Sequence, residues 1–177
     1  MTDPVKINYQ PFDPDSVDLP VISVLLETSG KEDELPMHVH RKGQMVVALS
    51  GSVMCRSPSG WWIVPPNGAV WIPGGIPHSN HASDFAKLYV IFIPPDEAGL
   101  PTDCRSFTIT PLIRELIRSL ARFPPDYPKD GPVGRLARVL LDQLALQGRQ
   151  PVGARAAAGA LVGQDDLQPL LGDARRL

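Results

Sequence analysis

His38-Val39-His40-Arg41-Lys42-Gly43-Gln44-Met45-Val46-Val47-Ala48-Leu49-Ser50-Gly51 is the stretch whose reading decides the fold of this chain. Side chains of a strand alternate between its faces, so His38 and His40 project to one side and Val39 to the other. Gln44 follows, and the apolar run 45–49 ends at Gly51. Farther on, Pro73-Gly74-Gly75-Ile76-Pro77 delivers a third imidazole, His78, at the start of another strand. Nitrogen donors held on a rigid sheet around an apolar interior suit a borderline transition metal. His81 lies three residues past His78. In a strand it faces the opposite side, and it reads as a surface or loop residue.

Short apolar runs punctuated by Pro and Gly surround this stretch, as a barrel or sandwich requires. Residues 21–27 read as the first strand, and 31–34 as a charged loop. Residues 44–49 and 52–57 read as a strand pair folded about Ser50-Gly51. Pro58-Ser59-Gly60 turns into a strand at 61–64. Pro65-Pro66-Asn67-Gly68 is a turn, because Pro presets φ and Gly accepts positive φ. Strands at 69–72, 77–81 and 87–93 complete the set, and Pro94-Pro95 ends it.

The hydrophobic period then changes. Thr110 is suited to an N-cap and Pro111 to the first helical position. Leu112, Ile113, Leu116, Ile117 and Leu120 form one apolar stripe, with Arg114, Arg118 and Arg122 off it, until Phe123-Pro124-Pro125 stops the helix. A second helix over 134–146 groups Leu136, Val139, Leu140 and Leu144. Such stripes need burial on the barrel or on a partner subunit. The spacing thus divides the chain into an N-terminal arm (1–19), a barrel (20–95), a helical segment (96–147) and an irregular or partly helical tail (148–177).

Size allows one domain with a real core. A net charge of −2 gives no basic field for nucleic acid or anionic membrane. Cys55 and Cys104 are isolated, against a disulfide framework or zinc knuckle, and Cys55 reads as a small buried apolar side chain. No apolar stretch is long enough to span a bilayer and none resembles a secretory leader, so a reducing cytoplasm is expected.

His38-Val39-His40, Gln44 and Gly51 at this spacing resemble the first cupin motif, with Gln where that motif usually has Glu. Gly68, Pro73, Gly75 and His78 resemble the second, whose closing Asn is Ala82 here while Asn80 sits off position. The stretch from Ser57 to Pro73 and the helical segment around Pro111-Leu112-Ile113-Arg114-Glu115-Leu116 are similar to the sensory cupin domain of AraC-type transcriptional regulators. The resemblance covers roughly residues 20–146. It implies a mainly β fold, a single RmlC-like jelly-roll barrel with two C-terminal α-helices, and a function in small-molecule sensing and dimerisation. A full-length regulator of this type continues into two helix-turn-helix units, for which the residues after Gly148 leave no room. The expectation is a sensor without a reader: an effector-binding homodimer that selects no DNA sequence by itself.

The expected metal ligands are His38, His40 and His78, with Gln44 as a fourth. Gln is neutral, which disfavours hard ions more than imidazole-seeking Zn²⁺, Ni²⁺ or Fe²⁺. The alternative is a cavity in which the same residues touch an organic effector directly. Gln44, Trp62, Trp71 and Tyr89 are the expected ligand contacts; the tryptophans could equally fill the core. No catalytic residue is assigned. A metal-dependent cupin enzyme such as a dioxygenase is the rival reading, and Tyr89 and Asp84 are the nearest acid or base groups a hydrolase or isomerase could use.

Overall fold

The computed structural model of the chain describes residues 12–29, 33–97 and 99–148 and the backbone of 160–162. After a short 3₁₀ turn at Pro14–Ser16 come β1 (Ile22–Glu27), β2 (Asp33–His38), β3 (Gly43–Ser50), β4 (Val53–Ser57) and β5 (Gly60–Val64). β6 (Gly68–Ile72), β7 (His78–Ala82), β8 (Lys87–Ile93) and β9 (Arg105–Thr108) follow. Helices α1 (Pro111–Leu120) and α2 (Pro132–Gly148) precede β10 (Ala160–Val162). The strands form two five-stranded sheets, ordered β1-β8-β3-β6-β9 and β10-β5-β4-β7-β2. Every pairing is antiparallel. The fold is mainly β, a jelly-roll barrel followed by two helices.

The first sheet is buried on both faces. Val46, Ala48, Val70, Ile72, Leu88 and Val90 join Val53, Cys55, Trp62 and Val64 of the second sheet in an inner core. The alternate residues Met45, Val47, Ala69, Trp71, Tyr89, Ile91 and Ile93 join Phe107 and the helices in an outer core. Burial leaves the Cys55 thiol protonated, its pKa pushed up to about 12. Trp71 lies over Gly43, where a Cβ would come within 2.0 Å of the indole, so only glycine admits the ring.

The expected hairpin of 44–49 with 52–57 does not form. β3 pairs with β6 and β8, β4 with β5 and β7, so the chain changes sheet at Ser50-Gly51. Gly51 holds φ +70° there, which only a glycine adopts without strain. The expected loop at 31–34 runs into β2, whose extended backbone tolerates Pro36 because β2 is an edge strand. The barrel also continues past residue 95, since β9 pairs with β6. Within the arm, Pro14 and Leu19 are buried, so residues 12–19 lie over the barrel. Expectations for 1–11 and most of 148–177 fall outside the described residues, and the backbone of β10 extends the second sheet.

Thr110 caps α1 by accepting the Ile113 N–H at 3.3 Å, with Pro111 at the first position. Ile113, Leu116, Ile117 and Leu120 are buried, but Leu112 is 50 % exposed: it falls outside the arc that meets the sheet. In α2 the buried face is Gly134, Ala137, Leu140, Leu141 and Leu144, and Val139 is 42 % exposed. Both stripes therefore cover the outer face of the first sheet within the chain. The Ser23 hydroxyl donates to the Ile117 carbonyl at 3.1 Å and the Tyr127 phenol to the Val21 carbonyl at 2.6 Å, tying β1 to the helices. None of the described helices is long and apolar enough to cross a membrane.

Leu116 is thus core. Leu116→Glu would bury an unpaired carboxylate and should cost about 3–5 kcal/mol. The expected result is loss of the cooperative thermal transition, read by circular dichroism, rather than clean separation of two folded protomers.

Candidate functional site

β2 ends at His38, which pairs with His78 at the start of β7. His40 lies two residues beyond the strand and is placed by packing. The Gly75 N–H donates to the His40 carbonyl at 2.9 Å, and a Cβ on Gly74 would come within 1.8 Å of the Arg41 carbonyl oxygen. The 73–77 turn therefore seats directly on the 40–42 loop, which is why the glycines precede His78. Gln44 enters from β3, between Ile72 of β6 and Phe92 of β8.

The donor atoms of His38, His40 and His78 lie within 4.8 Å of one another. Each ring donates its Nδ1–H to a main-chain carbonyl: His38 to Pro36 (2.9 Å), His40 to Lys42 (2.5 Å) and His78 to Ile76 (2.8 Å). That fixes the tautomer and leaves each Nε2 with a lone pair, the arrangement a metal-ligating imidazole adopts. Two observations fit an ion. The His78 Nε2 is buried without a hydrogen-bond partner among the described residues. The His40 Nε2 faces the Gln44 Oε1 at 3.2 Å, lone pair toward lone pair. Ligands about 2.0–2.2 Å from one ion sit roughly 3–3.5 Å apart, so the trio must contract slightly to close on it.

Burial favours the neutral form of His78 and His38. It pushes the His78 imidazole down to about 4, partly opposed by the Ile76 hydrogen bond and aided by the nearby His38 and His40. His38 is also held below its ordinary value, chiefly by burial. Neutral imidazoles are the form that coordinates.

His38 and His40 border a cavity of about 680 Å³. Val24, Leu26, Val46, Leu88, Val90 and Phe92 supply apolar wall, and Gln44 and Asn80 supply amides. Asp13 and Glu27 are the carboxylates in the lining, and among the described residues no Lys or Arg lines it.

Of the expected contacts, Gln44 borders the cavity. Trp62 lies in the inner core but not in the lining, and its Nε1 has no partner among the described residues. Trp71 and Tyr89 turn to the outer core, away from the cavity, and the Trp71 Nε1 donates to the Pro101 carbonyl at 2.8 Å. Asp84 is exposed outside the lining. His81 sits in β7 opposite Met54, outside the imidazole group. Phe92, Phe12 and Asn80 line the cavity unforeseen. For Phe92 the signal is its alternation with Leu88 and Val90 along β8; for Phe12 the sequence holds none.

The model of the AraC-like ligand binding domain matches residues 21–162. The chain belongs to that family. It is 37% identical over 145 residues to the HTH-type transcriptional regulator NimR of Escherichia coli K12, an alignment covering 82% of this chain and 53% of the regulator. The chain thus spans about half the length of that relative. Among solved structures, a cupin-2 domain protein of Shewanella frigidimarina is 17% identical, covering 50% of this chain and 78% of its own, with a TM-score of 0.37. Oxalate decarboxylase of Bacillus subtilis is 19% identical over 44% of this chain and 22% of its own, with a TM-score of 0.38.

The buried His78 sets an acid limit on the metal-free protein. As pH falls, the unfolded chain takes up the proton first, near 6.5, and the folded chain only near 4. The stability present above pH 6.5 should therefore drain away between 6.5 and 4. His78→Asn should flatten that part of the curve in denaturant titrations at successive pH values.

Proposed function

We propose that this chain is the effector-sensing portion of a transcriptional regulator, with the barrel cavity as its sensory pocket and His38, His40, Gln44 and His78 as a transition-metal site within it. One observation carries the reading: a roomy apolar cavity bordered by His38, His40 and Gln44, with the buried His78 directly behind them and all three Nδ1 atoms committed to main-chain carbonyls. Its volume of about 680 Å³ is the size that holds a drug-sized organic molecule. The family match and the regulator relative support sensing in place of turnover.

The lining also selects the effector class. Apart from the ion, no Lys or Arg among the described residues stands on the wall and carboxylates lie at Asp13 and Glu27, so the body of a polyanion finds no partner there. A compact, mostly apolar molecule with a single lone-pair donor fits: the donor meets the ion, and the body meets Val46, Val90 and Phe92. When bound, the ion supplies a Lewis-acid contact. Gln44 and the imidazoles hold it, and Zn²⁺, Ni²⁺ or Fe²⁺ suits this neutral donor set. β1 supports transmission, since Val24 and Leu26 border the cavity while Ser23 bonds the α1 backbone.

The reading places the protein in the cytoplasm as a homodimer. With Leu116 internal, the helical contact falls to the exposed Leu112, Val139 and Leu146.

Metal uptake tests the site. After exposure to Zn²⁺, Ni²⁺ and Fe²⁺, about one equivalent per chain should remain bound, and His78→Ala should lose it. Less than about a tenth of an equivalent of every ion would remove the metal from the reading. Effector binding is tested by thermal shift: apolar monodentate donors should raise the midpoint more than dicarboxylates and sugar phosphates of matched concentration.

A further inference from the structure

His40 is the imidazole with the least support from the sheets. It lies past the end of β2, is only half-buried, and its ring orientation depends on the carbonyl of Lys42, which accepts its Nδ1–H at 2.5 Å. That carbonyl belongs to one of the most deeply buried side chains in the protein: Lys42 is 2 % exposed. Its ammonium donates to the carbonyls of Pro14, at 2.8 Å, and Val17. The same loop is gripped from the other side by Asp15, whose carboxylate accepts the Arg41 N–H at 2.6 Å and the Lys42 N–H at 3.0 Å. A buried ammonium is costly, and here it is satisfied by two carbonyls of residues 14–17 with the Asp15 carboxylate nearby. A single clasp therefore joins residues 14–17 to the peptide that orients a donor of the imidazole cluster.

We propose that Asp15 and Lys42 are positioning residues for His40, and that docking of residues 14–17 sets the affinity of the cluster for a transition ion. The inference rests on the metal reading above. Neither side chain reaches the cluster as a ligand: Asp15 holds the loop backbone, Lys42 holds the arm, and His40 receives the result through one carbonyl. Groups that hold a metal-ligating imidazole from behind typically change metal affinity about 10–100-fold when removed. Coupling between two binding events is reciprocal, so an ion bound at the cluster must tighten the clasp by the same factor.

The experiment uses the full chain, with Zn²⁺ as the probe. Calorimetric titration compares the wild type with Asp15→Ala and Lys42→Met, the latter keeping most of the buried volume. Circular dichroism verifies folding of each. The expected result is a dissociation constant raised about 10–100-fold in both folded variants with stoichiometry unchanged, together with slower hydrogen exchange at the Arg41 and Lys42 amides of the wild type on adding Zn²⁺. A metal-independent reading comes from ¹⁵N spectra of the imidazoles in the ion-free protein, where Asp15→Ala should broaden or shift the His40 Nδ1–H resonance and leave that of His78 in place. Zn²⁺ affinity within about twofold of the wild type in a folded variant, or an unchanged His40 resonance, overturns the positioning role while the metal site stands. Failure of the wild type to take up Zn²⁺, Ni²⁺ or Fe²⁺ overturns the metal reading itself and the affinity claim with it.

Discussion

The organisation of this protein follows from one constraint: the β1-β8-β3-β6-β9 sheet is apolar on both faces. Gln44 apart, the inner face of β3 carries Val46 and Ala48, and its outer face Met45 and Val47, all essentially out of solvent. A barrel can shield one face of a sheet and no more. The other needs a second layer, which α1 and α2 supply through Ile113, Ile117, Leu140 and Leu144. The helices are thus the third layer of the protomer, and their apolar stripes are spent within it. A contact with another copy of the chain would have to use what remains outside, such as Leu112 and Val139.

The same division of faces separates sensing from support. Side chains at alternate positions of β8 go to different compartments: Leu88, Val90 and Phe92 face the cavity, while Tyr89, Ile91 and Ile93 face the helices. A ligand pressing on one set acts on a strand whose other side is packed against α1, and interiors this dense transmit small displacements. The imidazoles follow a comparable economy. Each spends its Nδ1–H on a main-chain carbonyl two residues away, so backbone geometry aims the Nε2 lone pairs. Preorganisation of this kind lowers the ordering cost of binding.

The cluster was legible in the sequence because His38-x-His40 and the Gly-rich turn before His78 carry their geometry in their spacing. The N-cap of α1 was legible for a similar reason: Thr110-Pro111 has a local physical meaning that tertiary context did not override. The directions of Trp71 and Tyr89 were not legible. Both sit in continuous apolar runs, and a strand buried on two faces shows no alternation to say which residue goes in. The step from β3 to β4 misled through Gly51, since a positive φ serves a crossing between sheets as well as a hairpin. β9, with the sequence Arg-Ser-Phe-Thr, offers a single strong apolar residue, Phe107, and follows a Pro-Pro break. Lys42 defied its residue type: lysine is among the side chains least often fully buried, and only partners twenty-five and more residues away explain its place.

The bond from Tyr127 to the Val21 carbonyl has a consequence for how this molecule keeps to itself. β1 is an outer strand of its sheet, and an outer strand offers unpaired main-chain groups to any other chain that passes. The phenol occupies the carbonyl just ahead of that strand, and α1 lies alongside with its own carbonyl engaged by Ser23. At the far side of the same sheet β9 covers β6. A barrel cut at Pro95 would lose both guards at once and expose two adhesive margins, making strand-to-strand aggregation its natural fate. The segment after Pro95 therefore covers the β6 margin with a short strand and anchors the start of β1.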